Sequence, residues 1–357
     1  MLDKLSGLLG GNKVVAIDIG TSSVKLAELD ASRSGYQLKK FGVISLNPGW
    51  IRDGEIVEPT NVAQVIQSLV ESVKCKRKTA STGIFGNGVI IKRIQMQPIE
   101  ENLMAEAIKW EAEQYIPFDI NEAAIDYHVL NKGSVTAAGT TDVLLIGAKQ
   151  EFIFRILEAV ETAGLRCSIM DVSAFALANC FEANYGMRPG ATALLNIGAG
   201  VTNVVILEEG NVVFARDVII GGQNYTMEIH KALGVSIPEA ESLKISASLG
   251  QEVPNEVISI ITNTTEQVVE EIRNAFEFYT ATGGGNKPDL MFVSGGCIFI
   301  PNLVEELSKV LGVGFEVFNP FQSITYDSKV LSAEYIQQIQ SIAPVVLGLG
   351  MRGSKEK

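Results

Sequence analysis

Residues 14–29 read VVAIDIGTSSVKLAEL, where an apolar strand ends on Asp18 and a second strand leaves with Lys25 on it. Between them lies the turn Gly20-Thr21-Ser22-Ser23, in which glycine permits a sharp bend and successive N–H groups form a concavity for anions. The hydroxyl groups add donors, Lys25 adds charge, and Asp18 is suited to grip a hydrated magnesium ion. The stretch is not a Walker A loop, because it lacks G-x-x-x-x-G-K-[ST] and a strand follows it. A plain β-hairpin with a polar tip is the alternative interpretation.

The same pattern of strand, glycine turn and strand occurs again at residues 195–207, LNIGAGVTNVVIL. When the two stretches are aligned without gaps, Asp18 falls on Asn196 and Gly20 falls on Gly198. A single Gly-Ala-Gly is weak evidence, but a paired hairpin indicates two related halves that face each other across a phosphate chain.

The two hairpins resemble the phosphate 1 and phosphate 2 motifs of the actin, Hsp70 and sugar-kinase superfamily. Within that superfamily, the opening Met1–Leu29 is similar to the PilM family of type IV pilus assembly proteins, which is related to FtsA. The resemblance predicts an α/β fold of the actin-like (ribonuclease H-like) type, with two lobes and a 1C-type inserted subdomain. It runs over the whole chain.

The resemblance also divides the chain into four subdomains. Subdomain 1A takes residues 1–88 with 165–190 and 335–357, and the inserted 1C takes 89–164. Subdomain 2A takes residues 191–224 with 281–334, and 2B takes 225–280. Within the insertion, residues 110–118 (WEAEQYIPF) resemble a signature of the family, and we expect Trp110 and Tyr115 on its packing face because such side chains are usually core.

Composition excludes several classes of function. The net charge of −12 argues against binding nucleic acid through bulk electrostatics. The four cysteines form no C-x-x-C pair, which predicts free thiols, a reducing compartment and no zinc site. No apolar segment reaches the about 18 residues that cross a bilayer, residues 1–11 are too short and polar for a signal peptide, and the end of the chain is polar. These features predict a cytoplasmic protein, and the resemblance implies that it reaches the inner membrane through a protein partner.

The resemblance implies an ATP site with Mg²⁺. Gly20, Thr21, Ser22 and Ser23 would hold the phosphates beside Lys25, and Asp18 would hold the water shell of the metal. Gly198, Gly200 and Thr202 would cover the phosphates from the other lobe, next to Gly221 and Gly222. Gly295 and Gly296, in a strand that runs through a Gly-Gly turn into a helix, would hold the α-phosphate and ribose. Glu241 and Lys244 would line the adenosine pocket, although an E-x-x-K helix is also common as a solvated pair.

Asn196 departs from the pattern of relatives that hydrolyse ATP, which usually have aspartate there. An amide neither accepts a proton nor binds hydrated magnesium as a carboxylate does. The candidate catalytic pair is thus Asp18 and Asn196, and we expect ATP binding with at most weak ATPase activity.

Three functions compete. The first is an ATP-binding scaffold of type IV pilus assembly, which the resemblance implies docks the N-terminal cytoplasmic peptide of a PilN-like membrane protein in the groove between 1C and 1A. Pilus motor ATPases are further implied partners. The second is a sugar kinase, for which the sequence shows no clear sugar-binding carboxylate. The third is an FtsA-like filament-forming protein, against which the missing C-terminal amphipathic helix argues.

Overall fold

The computed structural model describes residues 13–32, 35–130, 139–282 and 285–355 of the chain. The lead-in at residues 1–11 lies outside them, so the prediction for that segment is untested. The elements that precede the insertion are β1 (Val15–Ile19), β2 (Ser23–Ser32), β3 (Gly35–Ser45), β4 (Ile51–Arg52), β5 (Glu55–Ile56), α1 (Pro59–Ser72) and β6 (Thr79–Ile84).

The insertion and the return to the first sheet follow. Their elements are β7 (Val89–Met96), α2 (Glu101–Ala112), β8 (Ala123–Val129), β9 (Thr141–Lys149), α3 (Gln150–Thr162), β10 (Arg166–Val172) and α4 (Ser173–Tyr185). The remaining elements are β11 (Ala191–Ile197), β12 (Thr202–Glu208), β13 (Asn211–Val218), α5 (Gly222–Leu233), α6 (Ile237–Ser248), α7 (Asn255–Ala281), β14 (Leu290–Ser294), α8 (Leu303–Leu311), β15 (Gly314–Val317), β16 (Thr325–Tyr326), α9 (Ala333–Ile339) and α10 (Pro344–Lys355).

Two sheets define two lobes. The first lobe holds a six-stranded sheet in the order β10-β6-β1-β2-β3-β16, and the second lobe holds a five-stranded sheet in the order β13-β12-β11-β14-β15. Every residue of β1 is buried, and a strand that is buried on both faces has a nearly continuous apolar sequence, as β1 does. Strands β1, β6 and β10 run parallel, so their carboxyl ends lie at one edge of the sheet.

The hairpin repeat inferred from the sequence is present in the register that the alignment predicts. Asp18 lies opposite Lys25 in the β1–β2 pair, and Asn196 lies opposite Asn203 in the β11–β12 pair. The two turns close alike, since Gly20 N–H donates to Ser23 O at 2.9 Å and Gly198 N–H donates to Val201 O at 3.0 Å. The lobes are therefore built on the same local unit.

The insertion is a three-stranded sheet in the order β7-β9-β8, packed against α2. Helix α2 buries Met104, Ile108 and Ala112, which recur every fourth residue and so share one face. Trp110 falls on the opposite face and is 67% exposed, so the expectation that it packs in the insertion is wrong. Tyr115 is half-buried.

Two segments make contacts with the first lobe, although the subdomain division proposed from the sequence assigns them elsewhere. The buried face of α3, with Phe152, Ile156 and Val160, joins the core of the first lobe although its residues fall within the range 89–164. Strand β16 pairs with β3 of the first sheet, although the division assigns residues up to 334 to the second lobe. In both places the residues that make the apolar contacts or the strand pairing are far apart in sequence, so no local sequence pattern indicates that they meet.

Candidate functional site

A cavity of about 430 Å³ lies between the lobes at the carboxyl ends of β1, β6 and β10. Open α/β sheets bind ligands at this edge. Most of the predicted site residues line it: Asp18, Gly20, Thr21, Ser22, Ser23, Lys25, Asn196, Gly198, Gly222, Glu241, Lys244, Gly295 and Gly296. The fold therefore places around one cavity most of the residues, from both lobes, that the sequence assigned to the site.

The first turn carries an internal ion pair. Lys25 Nζ donates to Asp18 Oδ2 at 3.0 Å, and both side chains are largely buried. Lys25 was predicted beside the phosphates and Asp18 at the water shell of the metal, and in the structure the two side chains pair with each other. The pair holds the lysine at the mouth of the turn, where an anion would lie.

The second turn meets the first at close range. A Cβ on Gly200 would lie 2.8 Å from Thr21 Cγ2, and a Cβ on Gly221 would lie 2.3 Å from Gly198 O. Neither glycine lines the cavity, so their role is to let backbone segments approach. Thr202 is fully buried, and its hydroxyl donates to Ile220 O at 2.9 Å. The structure thus gives Thr202 a structural hydrogen bond in place of the expected phosphate contact.

Lys244 forms the centre of a buried hydrogen-bond network, whereas the side chain of its partner Glu241 is 43% exposed. Lys244 is 8% exposed, and its Nζ donates to Gly222 O at 3.1 Å, to Thr226 Oγ1 at 3.0 Å and to Glu241 Oε2 at 2.6 Å. These bonds tie α6 to the first turn of α5. The lysine therefore fixes the wall of the cavity beside the second glycine turn.

The Gly-Gly turn is followed first by a short 3₁₀ turn and then by the predicted helix. Gly295 has φ +99°, and a Cβ there would lie 2.2 Å from Ile197 O, so only glycine fits. A short 3₁₀ turn, Gly296–Phe299, follows directly, and α8 begins only at Leu303. Pro301 disfavours helical backbone at Ile300, which separates the turn from the helix.

Cys297 is buried beneath the second turn, and its thiol donates to Gly198 O at 3.1 Å. Burial raises the pKa of this thiol to about 11. The cysteine is therefore a packing residue and not a nucleophile. The other cysteines are free as predicted.

Several lining residues were missed by the sequence analysis. Ile245, Leu249 and Phe299 line the cavity near Glu241 and Lys244, and they are 47%, 67% and 57% exposed. Exposed apolar side chains at a cavity mouth provide a surface for a flat apolar or aromatic group. Two of these residues, Ile245 and Leu249, could have been predicted from the sequence as apolar positions on or directly after the outer face of α6.

Ser173 was missed as well. It is 4% exposed, lines the cavity at the first turn of α4, and its Oγ has no hydrogen-bond partner among the described residues. Gly83 makes room for it, because a Cβ there would lie 2.7 Å from Ser173 Oγ. A buried hydroxyl without a partner is costly unless a ligand or water completes it.

A chain of polar side chains leads from the cavity to the first lobe. Asn196 Nδ2 donates to Asn203 Oδ1 at 2.9 Å, and Asn203 Nδ2 donates to Asp217 Oδ1 at 2.7 Å. Gly86 N–H, at the junction of β6 with the insertion, donates to Asp217 Oδ2 at 2.6 Å. Burial raises the pKa of Asp217, and the two donated bonds oppose that shift.

A second cavity of about 740 Å³ lies between the insertion and the first lobe. Strands β8 and β10 line it, and each is the last strand of its own sheet. Apolar side chains from both strands and from α4 face it, among them Ile125, Met170 and Phe175. Its charged residues include Asp171, whose Oδ2 lies 3.0 Å from Arg352 Nε. Burial raises the pKa of Asp171, and the arginine opposes this shift.

Comparison with known proteins places this architecture in a family. The family model described as type IV pilus assembly protein PilM matches residues 16–354. The chain belongs to the PilM family of type IV pilus assembly proteins. One solved structure, described as a PilM–PilN type IV pilus biogenesis complex, superposes with a TM-score of 0.87 at 28% identity and covers 96% of this chain and 99% of that chain.

More distant relatives share the fold. Cell division protein FtsA of Streptococcus pneumoniae is 24% identical over 352 residues, covering 86% of this chain and 75% of FtsA. Ethanolamine utilization protein EutJ from Carboxydothermus hydrogenoformans superposes with a TM-score of 0.56 at 16% identity and covers 96% of this chain and 90% of EutJ. The predicted actin-like fold is confirmed. The FtsA matches are weaker than the family match and favour the filament alternative only weakly.

Proposed function

We propose that this protein is an ATP-binding scaffold of type IV pilus assembly that docks the N-terminal cytoplasmic peptide of a PilN-like inner-membrane protein. The observation that carries the proposal is the pair of equivalent glycine turns, one from each lobe, which meet at Gly200 and Thr21 beside one cavity. Two such turns present N–H groups to a phosphate chain from opposite sides.

The residues at the cavity fit a nucleotide. Gly198 lies where a Cβ would clash with Val201 O at 2.7 Å, so the turn keeps its backbone bare. Ser173 supplies a buried hydroxyl that has no hydrogen-bond partner among the described residues. It lies at the N-terminus of the 13-residue helix α4, where anions are favoured. Ile245 and Leu249 provide the apolar surface for the base at the other end. We assign the phosphates to Gly20–Ser23, Lys25, Gly198 and Gly295–Gly296.

Magnesium fits this site only through the phosphates and water. No group of three or more His, Cys, Asp or Glu side chains among the described residues could hold a metal ion. Asp18, with one oxygen already paired to Lys25, would hold the water shell of the ion. The ion would supply positive charge to the phosphates. With Asn196 in the second turn, we expect any hydrolysis to be slow.

The second cavity is the site that we propose for the peptide. An extended peptide can add a strand to a free sheet edge and place alternate side chains in pockets, and both β8 and β10 offer such an edge here. The similar solved structure is described as a complex with PilN, which supports this choice of partner. Pilus motor ATPases are further partners that we propose from family membership alone.

We propose a cytoplasmic location, peripheral to the inner membrane through that partner. No helix among the described residues is long and apolar enough to cross a membrane. The net charge of −12 does not favour direct contact with anionic lipid. A peptide anchor would bring the protein to the membrane without lipid contact of its own.

A labelled peptide from the N-terminus of the cognate membrane protein tests the docking. It should bind the full-length protein with micromolar Kd or better, and Ala124→Trp, which fills the second cavity from β8, should abolish binding. Ala105→Trp, on an exposed position of α2 in the same insertion, is the matched control and should bind normally. Equal binding by the two variants would show that the partner uses another surface.

Calorimetry tests the nucleotide site. Wild type should bind ATP with magnesium, and Asp18→Ala should weaken the affinity by tenfold or more, because it removes the carboxylate that holds both Lys25 and the metal's water. Folded wild type that binds no adenine nucleotide would contradict the proposal.

A further inference from the structure

Strand β8 offers an open backbone edge at the second cavity. Leu130 N–H donates to Asp142 O at 3.0 Å, which makes these two residues a hydrogen-bonded pair at the end of the antiparallel β8–β9 ladder. Such pairs alternate along a ladder, so Ile125 and Tyr127 direct their N–H and C=O groups away from β9. Both residues line the cavity, although their side chains pack against the core of the insertion. An incoming strand would therefore meet backbone groups that β9 does not use.

Strand β10, on the other wall of the cavity, is a poorer edge. Its register with β6 shifts between Cys167 and Ile169, which leaves Ser168 as an extra residue. Such a bulge bends an edge strand and interrupts its pairing. The register of β8 with β9 runs without a shift over Ala123–Val129. Strand β8 is therefore the better template for an added strand.

One open N–H group of this edge is held by a neighbouring side chain. Asp126 Oδ1 accepts from Tyr127 N–H at 2.8 Å, and Asp126 is exposed. An incoming strand that takes this N–H group frees the carboxylate beside the new backbone. Among the described residues that line the cavity, Arg352 is the one cationic side chain, and it pairs with Asp171 instead. The freed carboxylate of Asp126 therefore has no cation of this chain to meet.

The cavity as a whole is acidic. Its described lining holds the carboxylates of Asp126, Asp171 and Glu182 against the single guanidinium of Arg352. Asp171 is 7% exposed, and its Oδ2 has no hydrogen-bond partner among the described residues. Burial raises the pKa of Asp171 and Arg352 opposes the rise, while the charge of Asp126 adds to it. A cation brought between the two aspartates would relieve this repulsion.

We propose that the docked peptide pairs with β8 and places a lysine, an arginine or its terminal ammonium group against Asp126. The inference rests on the proposed docking function. Cytoplasmic segments beside a membrane span carry an excess of Lys and Arg, so the tail of an inner-membrane protein has the charge that this cavity lacks. The strand pairing supplies main-chain hydrogen bonds, and the cation gives selectivity among apolar peptides.

A double-mutant cycle tests the charge. The N-terminal peptide of the cognate membrane protein, labelled at its C-terminus, is titrated with wild type and with Asp126→Asn. The titrations are repeated with each Lys or Arg of the peptide replaced by Gln, and with its terminal amine acetylated. Asn keeps an acceptor for Tyr127 N–H, so the variant should fold as wild type does.

Asp126→Asn should bind the unmodified peptide about fivefold more weakly than wild type. One of the modified peptides should lose about as much with wild type and nothing further with Asp126→Asn. Glu182→Gln, which removes another carboxylate of the same cavity, is the matched control. It should change the affinity by less than about twofold and show no coupling to that peptide. Equal binding by wild type and Asp126→Asn, or losses that simply add, would overturn the role of Asp126.

Amide hydrogen exchange, followed by NMR with and without the peptide, tests the edge. The N–H groups of Ile125 and Tyr127 should exchange more slowly in the complex, because the added strand accepts from them. Slower exchange in β10 without protection of Ile125 would overturn the choice of β8. A wild type that binds no peptide would contradict the proposed docking itself, whereas peptide binding that ignores Asp126 and β8 contradicts only this inference.

Discussion

Ser173 shows how one buried atom can point to a ligand. Among the described residues, its Oγ is the buried side-chain oxygen of the nucleotide cavity that has no hydrogen-bond partner. Ser81, on the neighbouring strand β6, is equally buried, but its hydroxyl donates to Leu349 O at 2.8 Å and it does not line the cavity. Variants of the two serines therefore allow a binding role to be tested apart from a folding role.

Ser173→Ala should leave the stability of the ligand-free protein unchanged or slightly higher, because the hydroxyl makes no bond that would be lost. Its affinity for ATP should fall by about tenfold, since a hydrogen bond to a charged group is strong. The measurements are urea unfolding without ligand and calorimetry with ATP.

Ser81→Ala is the control for that prediction. It should lower the free energy of unfolding by about 1–2 kcal/mol, because it leaves Leu349 O without its donor, and it should leave ATP affinity unchanged. If Ser173→Ala behaves like Ser81→Ala, then Ser173 has a structural role and not a binding role.

Residues of the site differ in how visible they are in the sequence. Gly20, Gly198 and Asp18 lie in local patterns, where a strand, a turn and a strand follow within about a dozen residues, so the repeat revealed them. Asp217 and Ser173 acquire their roles from groups that the fold brings in from elsewhere. Gly86, the donor to Asp217, lies 131 residues away in sequence, and no local pattern marks such a pair.

At the scale of elements, α10 shows what small residues do in this fold. A Cβ on Gly348 would lie 1.8 Å from Ala176 O of α4, and a Cβ on Gly350 would lie 2.8 Å from Leu29 of β2. Both contacts belong to the first lobe, so the glycines serve the packing of α10 within that lobe.

Gly348→Ala should lower the free energy of unfolding by about 3 kcal/mol, at the upper end of the cost of overpacking, because helix backbone must move away from helix backbone. Chemical denaturation measures it. Gly314→Ala in β15 is the control, since its Cβ would make an ordinary contact at 3.7 Å, and we expect a change within about 1 kcal/mol. Equal stability of the two variants would show that α4 and α10 separate readily.

Helices α2 and α3 show which part of the packing a sequence can predict. Apolar spacing along a helix indicates a buried face without saying what covers it. The buried face of α3 packs on the first lobe, and the outer face of α2 carries Trp110 in solvent. The partner of a helix face depends on tertiary packing, which is why neither the exposure of Trp110 nor the contact of α3 with the first lobe follows from the sequence.

At the scale of the molecule, several contacts join the two lobes. Phe181 of α4 packs on Phe292 of β14 with ring centroids 4.8 Å apart. Thr21 lies against Gly200, and Gly86 bonds to Asp217. Residues 84–86 lie between the two cavities, since Phe85 lines the first and Ile84 lines the second. A movement of one lobe relative to the other would therefore change the shape of both cavities.

The central claim is that one nucleotide is held by both lobes at once. Hydrogen–deuterium exchange of the full-length protein, with and without a saturating amount of ATP and magnesium, tests it most directly. We predict slower exchange at the backbone N–H groups of residues 21–23 in the first turn and of residues 199–201 in the second, since both turns would donate to the phosphates. Slower exchange in only one of the two turns, under conditions where calorimetry shows the site filled, would contradict the account.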